Sequence, residues 1–156
     1  MILKEIRHVI NKCLKKLYQR DEGLFIGKGL CERCLVFRFA MYLQEAFRHY
    51  YVDCDYNSSM VNGHRTRGKL IGKTKRFIDI IVHDRGSYDF ICFEVKKWNN
   101  MKTKDILKDY GNLKVLTADG NAGYGYQYGF HLVLGKTIGD SKLKIFQHGK
   151  EIAEQE

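Results

Sequence analysis

Two acids and a lysine occur in neighbouring apolar runs of the sequence. Asp79 lies in the run RFIDIIVH, and Glu94 lies in DFICFEV, with Lys96 two residues later. Because side chains alternate along a strand, Glu94 and Lys96 share one face. A carboxylate in a half-buried strand costs free energy unless it is paired or binds a cation. Two such acids near the same end of a hairpin repel each other unless a positive charge lies between them.

A divalent metal ion is the natural partner for this pair of acids. Hard oxygen ligands favour Mg²⁺ or Mn²⁺ over zinc. The metal can activate a water molecule, and a lysine beside it can orient that water or stabilise a phosphate transition state. The pattern therefore predicts cleavage of phosphodiester bonds. An ordinary cross-strand salt bridge with an edge lysine is the alternative, and three residues alone leave both readings open.

The sequence resembles the PD-(D/E)XK nuclease superfamily, in particular a group of small uncharacterised members. Asp79 followed by Glu94-Val95-Lys96 is similar to its motif, although Ile78 stands where the motif has proline. The resemblance covers roughly residues 31–134. Further similar segments are Glu32-Arg33, Val52–Asn57, Ile78–Gly86 and Tyr124–Phe130.

This resemblance implies roles for individual residues. Asp79 and Glu94 would bind Mg²⁺ or Mn²⁺, the Val95 carbonyl would be a further metal ligand, and Lys96 would be the catalytic lysine. Glu32 matches a helix glutamate that some members use as an additional ligand. An acid that simply pairs with a neighbouring base is the alternative for Glu32. The implied fold is α/β, with a mixed central sheet flanked by helices and a restriction-endonuclease-like αβββαβ core.

Several other residues are weaker candidates for the site. Asp55 shares a strand face with Asp53 and could support the site from outside the metal shell. Gln127 on the later strand could help to position the substrate. Strand-surface positions are the alternative for both. His83 and His131 are expected to be structural, and Trp98 is expected to pack rather than to stack on a base.

Positive charge brackets the candidate acids. The chain carries 27 Lys and Arg against 18 Asp and Glu, a net charge of +9, and residues 57–76 contain no acid. Basic runs on both sides of a metal site suit the phosphates of nucleic acid. A solvated, mobile loop is the alternative. The predicted nucleic-acid contacts are Arg65, Arg67, Lys69, Lys73, Lys75, Arg76 and Lys97.

Periodicity predicts the elements that position these residues. Apolar steps of three and four predict helices over 2–19, 30–50 and 102–117. β-rich runs predict strands at 51–56, 76–83, 89–95, 124–134 and 143–147. A tight turn at 84–88 is expected to join the second and third of these into a hairpin, and a loop or loose hairpin is expected over 57–75. We expect a single domain: an N-terminal helix and loop (1–29), a core (30–135), and a terminal strand with a frayed acidic tail (136–156).

Composition narrows the class of protein. Hydrophobic content of 44% argues against disorder, and no proline occurs. No signal peptide and no run of ~18 apolar residues is evident, so a cytoplasmic protein is expected. Five cysteines fit a disulfide framework poorly. Cys31 and Cys34 are spaced for zinc or redox chemistry but lack a second pair, and two packed free thiols are predicted instead.

Two functions remain open at this point. The first is a Mg²⁺-dependent nuclease that acts on DNA rather than RNA, as a homodimer or with an accessory partner that supplies specificity. The second is a catalytically inactive nuclease-like fold that binds nucleic acid or a protein.

Overall fold

The computed structural model describes residues 1–26, 31–57, 60–61, 64–65, 68–71, 73–84, 89–120 and 123–153. Within these ranges the chain forms four α-helices, a short 3₁₀ helix (Ile138–Asp140) and ten strands. The helices are α1 (Leu3–Arg20), α2 (Gly23–Ile26), α3 (Glu32–Ala46) and α4 (Thr103–Thr117). The strands are β1 (Tyr51–Tyr56), β2 (Met60–Val61), β3 (His64–Arg65), β4 (Leu70–Ile71), β5 (Thr74–Lys75), β6 (Ile78–His83), β7 (Asp89–Lys97), β8 (Tyr128–Leu134), β9 (Lys142–Gln147) and β10 (Lys150–Ile152).

Six of the strands form one mixed sheet in the order β1-β6-β7-β8-β9-β10. All neighbours are antiparallel except β7 and β8, which are parallel. A parallel pair needs a crossover, and α4 provides it. The expected α/β class, with a mixed sheet flanked by helices, is confirmed.

The two faces of the sheet are covered by different helices. On one face, α1 and α3 pack over Ile80, Phe93 and Phe130, all fully buried. On the other face, Leu113 and Leu116 of α4 pack against Ile81 and other residues of the sheet. Strand alternation therefore sends Asp79, Glu94 and Lys96 to the α4 face, while Val95 and Lys97 point to the α1–α3 face.

Most predicted elements agree with the structure to within a few residues. The strand expected over 124–134 begins at Tyr128, and the helix expected over 30–50 spans Glu32–Ala46. The loose hairpin expected over 57–75 consists of two short pairs, β2–β3 and β4–β5. The sequence reading missed α2 and β10, which are only four and three residues long.

The prediction for the Cys31 and Cys34 pair was half wrong. Both are free thiols, as expected, but both are exposed rather than packed. The reason is local: α3 begins at Glu32, so Cys31 precedes the helix, and Cys34 lies outside the buried face formed by Leu35, Val36 and Phe39. Within the described ranges, no helix combines the length and the apolar character needed to cross a membrane.

Candidate active site

The strands β6 and β7 separate where Asp79 and Glu94 lie. Their ladder runs from His83↔Asp89 to Ile80↔Phe93, so that Asp79 and Glu94 occupy the next step. One residue further, the N–H of Val95 donates to Asp79 Oδ2 at 2.7 Å. The Asp79 side chain thus satisfies a strand N–H at the point where the ladder stops.

Burial and mutual repulsion dominate the electrostatics of this pair. Glu94 is only 4% exposed. Burial, followed by the charges of Asp79 and Asp109, raises the pKa of Glu94 well above its usual range. Burial also raises the pKa of Asp79 to about 6, against the lowering effect of the Val95 N–H and Lys96. Both effects disfavour the ionised carboxylates, as expected for like charges in a low-dielectric site.

Lys96 lies among three carboxylates near the end of β7, those of Asp109, Asp79 and Glu32. Its Nζ is 3.2 Å from Asp109 Oδ2 and 3.9 Å from Glu32 Oε1. Burial works to lower the pKa of Lys96, but Asp109, Asp79 and Glu32 raise it more, so that the net pKa is above its usual value. Lys96 is therefore a fixed cation and not a proton acceptor at neutral pH.

Glu32 reaches the site from the first turn of α3. Its Oε2 accepts hydrogen bonds from the backbone N–H of Lys97 at 2.8 Å and from Asn100 Nδ2 at 3.2 Å. These contacts tie the helix to the end of β7 and place Oε1 toward Lys96. Of the two bases in the alternative prediction for Glu32, Arg33 and Lys28, the second lies outside the described residues.

Helix α4 contributes two residues that the sequence reading missed. Asn112 Nδ2 donates to Glu94 Oε1 at 3.0 Å, which orients the buried carboxylate. Asp109, one turn earlier, holds Lys96. Both are buried on the face of α4 that carries Leu113 and Leu116. A polar residue inside an apolar stripe is the sequence signal that could have identified them.

His131, expected to be structural, borders the same site on β8. It pairs with Glu94 in the parallel register, and its Nε2 lies 3.6 Å from Asp109 Oδ2. His131 Nε2 is buried without a hydrogen-bond partner, whereas Asp109 Oδ2 already faces the Lys96 ammonium group at 3.2 Å. A buried polar atom without a partner is rare, so His131 Nε2 favours an additional ligand such as water.

The candidate basic contacts divide into exposed and buried residues. Lys73 and Lys75 are exposed on the β4–β5 hairpin, and Arg76 is half-buried. Lys69 and Lys97 are 0% and 3% exposed, so neither presents its charge to solvent. Arg67 lies outside the described residues, as does the side chain of Arg65.

Lys69 is instead the centre of an internal cluster. Its Nζ is 5.2–5.7 Å from the ring centres of three tyrosines and 3.4 Å from Asp89 Oδ2. The Tyr124 hydroxyl both donates to and accepts from the backbone of Leu70. These contacts fix the β4–β5 hairpin beside the strand that carries Asp79. The three tyrosines are Tyr56, Tyr124 and Tyr126.

Asp55 and Gln127 were the weaker candidates for the site. Among the described contacts, neither side chain bonds to Asp79 or Glu94. Asp55 is exposed on β1 and has a positive φ of 49°. The β1–β6 ladder skips it, pairing Cys54 with Ile80 and Tyr56 with Ile78. Gln127 is half-buried, and its N–H donates to the Phe90 carbonyl at 3.0 Å.

The metal-binding capacity of the site rests on a small set of oxygens. Within the described parts of the chain, no group of three or more histidine, cysteine, aspartate or glutamate side chains could hold a metal ion by itself.

In comparisons with known proteins, the chain matches no family model, no curated protein and no solved structure.

Proposed function

We propose that the chain is a metal-dependent nuclease that hydrolyses phosphodiester bonds, with DNA as the first substrate to test. One observation carries the proposal: half-buried Asp79 and buried Glu94 lie at the next step of the β6–β7 ladder, and Lys96, held by Asp109, follows Glu94 on the same strand face. Repulsion between buried acids destabilises a fold unless a ligand relieves it. A divalent cation would relieve it, and its remaining positive charge would attract a phosphate.

The donor set fits Mg²⁺ or Mn²⁺ better than a softer metal. Asp79 and Glu94 would hold the ion, with the Val95 carbonyl as a further oxygen ligand. Mg²⁺ commonly uses one or two carboxylates and completes its shell with water and substrate phosphate. The shortage of further protein ligands among the described residues is compatible with that mode of binding. When bound, the metal would supply Lewis-acid activation of water and phosphate.

The chain's own residues would provide positioning and charge. Lys96 would orient the attacking water and stabilise the negative charge that develops on the phosphate. Asp109 and Glu32 hold the ammonium group in place, and Asn112 fixes the Glu94 carboxylate. The lysine would act as a cation rather than a general base, because its pKa is raised.

The exposed lysines of the β4–β5 hairpin would guide the substrate. Lys75 precedes Asp79 by four residues, and Lys73 lies at the turn of the same hairpin. Contacts of this kind position a phosphate backbone without reading its sequence, and they weaken as salt concentration rises.

The deciding experiment is a cleavage assay with labelled single-stranded and double-stranded DNA and RNA in Mg²⁺ or Mn²⁺. Wild type is compared with Glu94→Ala, Lys96→Ala and the control Lys150→Ala. We expect Glu94→Ala to abolish cleavage, Lys96→Ala to slow it by at least about 100-fold, and the control to leave it unchanged. Activity that survives both site substitutions would refute the assignment. Binding without cleavage by wild type would favour the inactive, nucleic-acid-binding alternative.

A further inference from the structure

A basic groove lies between α1 and the β8–β9 connection, away from the carboxylates. It has a volume of about 430 Å³. Among the described residues that line it, none is acidic, and its ionisable side chains are Arg7, His8, Lys12, Lys15 and Lys142.

The cations of this groove form a stripe along α1. Arg7, Lys12 and Lys15 all line the groove, and at 3.6 residues per turn they span about 140° of the helix circumference. Lys12 and Lys15, three residues apart, repel each other, and an anion in the groove would relieve that repulsion. The length of the stripe suits a chain of phosphates better than one isolated anion.

A second cavity borders this groove at Ile138, which lines both spaces. It has a volume of about 620 Å³. Its walls include one acid, Glu22, together with Trp98 and Lys136, whose Nζ lies 4.6 Å from the centre of the indole ring. The indole Nε1 is buried without a hydrogen-bond partner. Trp98 follows Lys96 by only two residues, so the cavity begins where the active-site strand ends.

The connection that carries Lys136 and Ile138 is held in a fixed position. The Tyr18 hydroxyl of α1 donates to the Gly135 carbonyl at 2.9 Å and lies 2.8 Å from Ser141 Oγ. Ser141 Oγ also accepts from the Gly135 N–H at 3.0 Å. A Cβ at Gly135 would lie 2.5 Å from the Cβ of Asp140, so the close approach requires glycine. The cavity is therefore preformed rather than assembled by the ligand.

We propose that this groove and cavity form one track that binds single-stranded nucleic acid leading away from the Lys96 site. The inference rests on the proposed function for its direction, since Trp98 directly follows β7, the strand that carries the proposed catalytic lysine. An aromatic ring beside a cationic stripe is the chemistry that binds single strands, because an unstacked base can reach the ring. A duplex hides its base faces, so the platform of Trp98 and Lys136 selects against it.

The test measures binding separately from cleavage. Fluorescence anisotropy is recorded with a labelled single-stranded oligonucleotide and with its duplex, in EDTA and at several salt concentrations. The double variant Lys12→Glu/Lys15→Glu is compared with Lys114→Glu/Lys150→Glu, which makes the same change in net charge at exposed lysines elsewhere. Trp98→Ala is compared with Trp98→Phe, and circular dichroism confirms that each variant is folded.

We expect the groove variant to weaken single-strand binding at least about 10-fold and to lower the salt dependence. Trp98→Ala should weaken it by about 5- to 100-fold, with partial retention in Trp98→Phe. Equal losses in the control pair would overturn the proposal, because they would indicate general attraction. The proposal would also be overturned if the duplex bound as tightly as the single strand and its binding did not depend on Trp98. It would likewise be overturned if inorganic polyphosphate displaced the oligonucleotide and Trp98→Ala did not change the affinity.

The two proposals fail in distinguishable ways. If wild type binds as expected in EDTA but cleaves nothing with Mg²⁺ or Mn²⁺, the track stands and the proposed activity fails. If wild type cleaves but the groove and Trp98 variants bind normally, the activity stands and the track is refuted.

Discussion

Replacing Asp79 by asparagine is expected to stabilise the metal-free protein at pH 8. Burial raises the pKa of Asp79 from its usual 3.8 to about 6. Because each tenfold change in an equilibrium constant is about 1.4 kcal/mol, ionised Asp79 costs the fold about 3 kcal/mol. Asparagine keeps an oxygen that can accept from the Val95 N–H. After its own desolvation, we expect a net gain of about 1–3 kcal/mol.

The sign of the pH dependence follows from the raised pKa. Between about pH 4 and pH 6 the folded protein holds a proton on Asp79 that the unfolded chain has released. The free energy of unfolding of wild type therefore falls as pH rises through this window, and the loss is complete above pH 6. Asp79→Asn cannot ionise at this position, so its free energy of unfolding lacks this decrease. The wild type and the variant are therefore expected to have similar stability near pH 4.

Urea unfolding at pH 4.5, 6 and 8 in EDTA measures this difference directly. Asp55→Asn is the matched control, because it makes the same change at an exposed aspartate on the neighbouring strand. Asparagine tolerates the positive φ at this position. The control should stay within about 0.5 kcal/mol of wild type. A destabilised Asp79→Asn at pH 8, or an unchanged pH slope, would refute the reasoning about buried repulsion.

Two further substitutions and one thiol-labelling reaction test other parts of the structure. Lys69→Ala should lower the free energy of unfolding by about 2–4 kcal/mol in a urea titration, because it removes the ammonium group that faces Asp89 and opens a cavity. Lys73→Ala should change it by less than about 0.5 kcal/mol. Gly135→Ala should lower the melting temperature, since the new methyl group meets Asp140 at 2.5 Å; an unchanged melting temperature would contradict the close approach. Ellman's reagent at pH 8 should label two thiols rapidly and two only after unfolding, because exposed thiols are accessible and burial raises the pKa of the other two. The rapid pair is Cys31 and Cys34, and the protected pair is Cys13 and Cys92.

Local patterns in the sequence predicted the elements that carry the candidate site. Alternation in residues 89–97 places Glu94 and Lys96 on one strand face, and the hairpin places Asp79 opposite them. These are short-range relations, fixed by strand geometry and by one turn. The αβββαβ core and the metal-dependent chemistry remain predictions that the fold class accommodates.

Long-range packing determines the positions of several side chains that local sequence patterns did not predict. Asp109 and Asn112 reach the site because α4 crosses from β7 to β8 and lays one face on the sheet. Lys69 belongs to a basic run and was expected at the surface, but its charge is offset by Asp89 and by three tyrosine rings. Lys97 follows strand alternation to the face covered by α1 and α3, which removes it from solvent. Composition alone does not distinguish such lysines from exposed ones.

The most direct test of the central claim is the binding of Mn²⁺ to the Asp79–Glu94 pair. Isothermal titration calorimetry compares wild type, Glu94→Gln and Asp55→Asn at pH 7.5 in the absence of nucleic acid. Glutamine has the shape of glutamate and can keep the hydrogen bond from Asn112, so the comparison removes the charge with little change in packing. We predict saturable Mn²⁺ binding that Mg²⁺ displaces in wild type and Asp55→Asn, and its loss in Glu94→Gln. Undiminished binding in Glu94→Gln, or no saturable binding by wild type, would contradict the account.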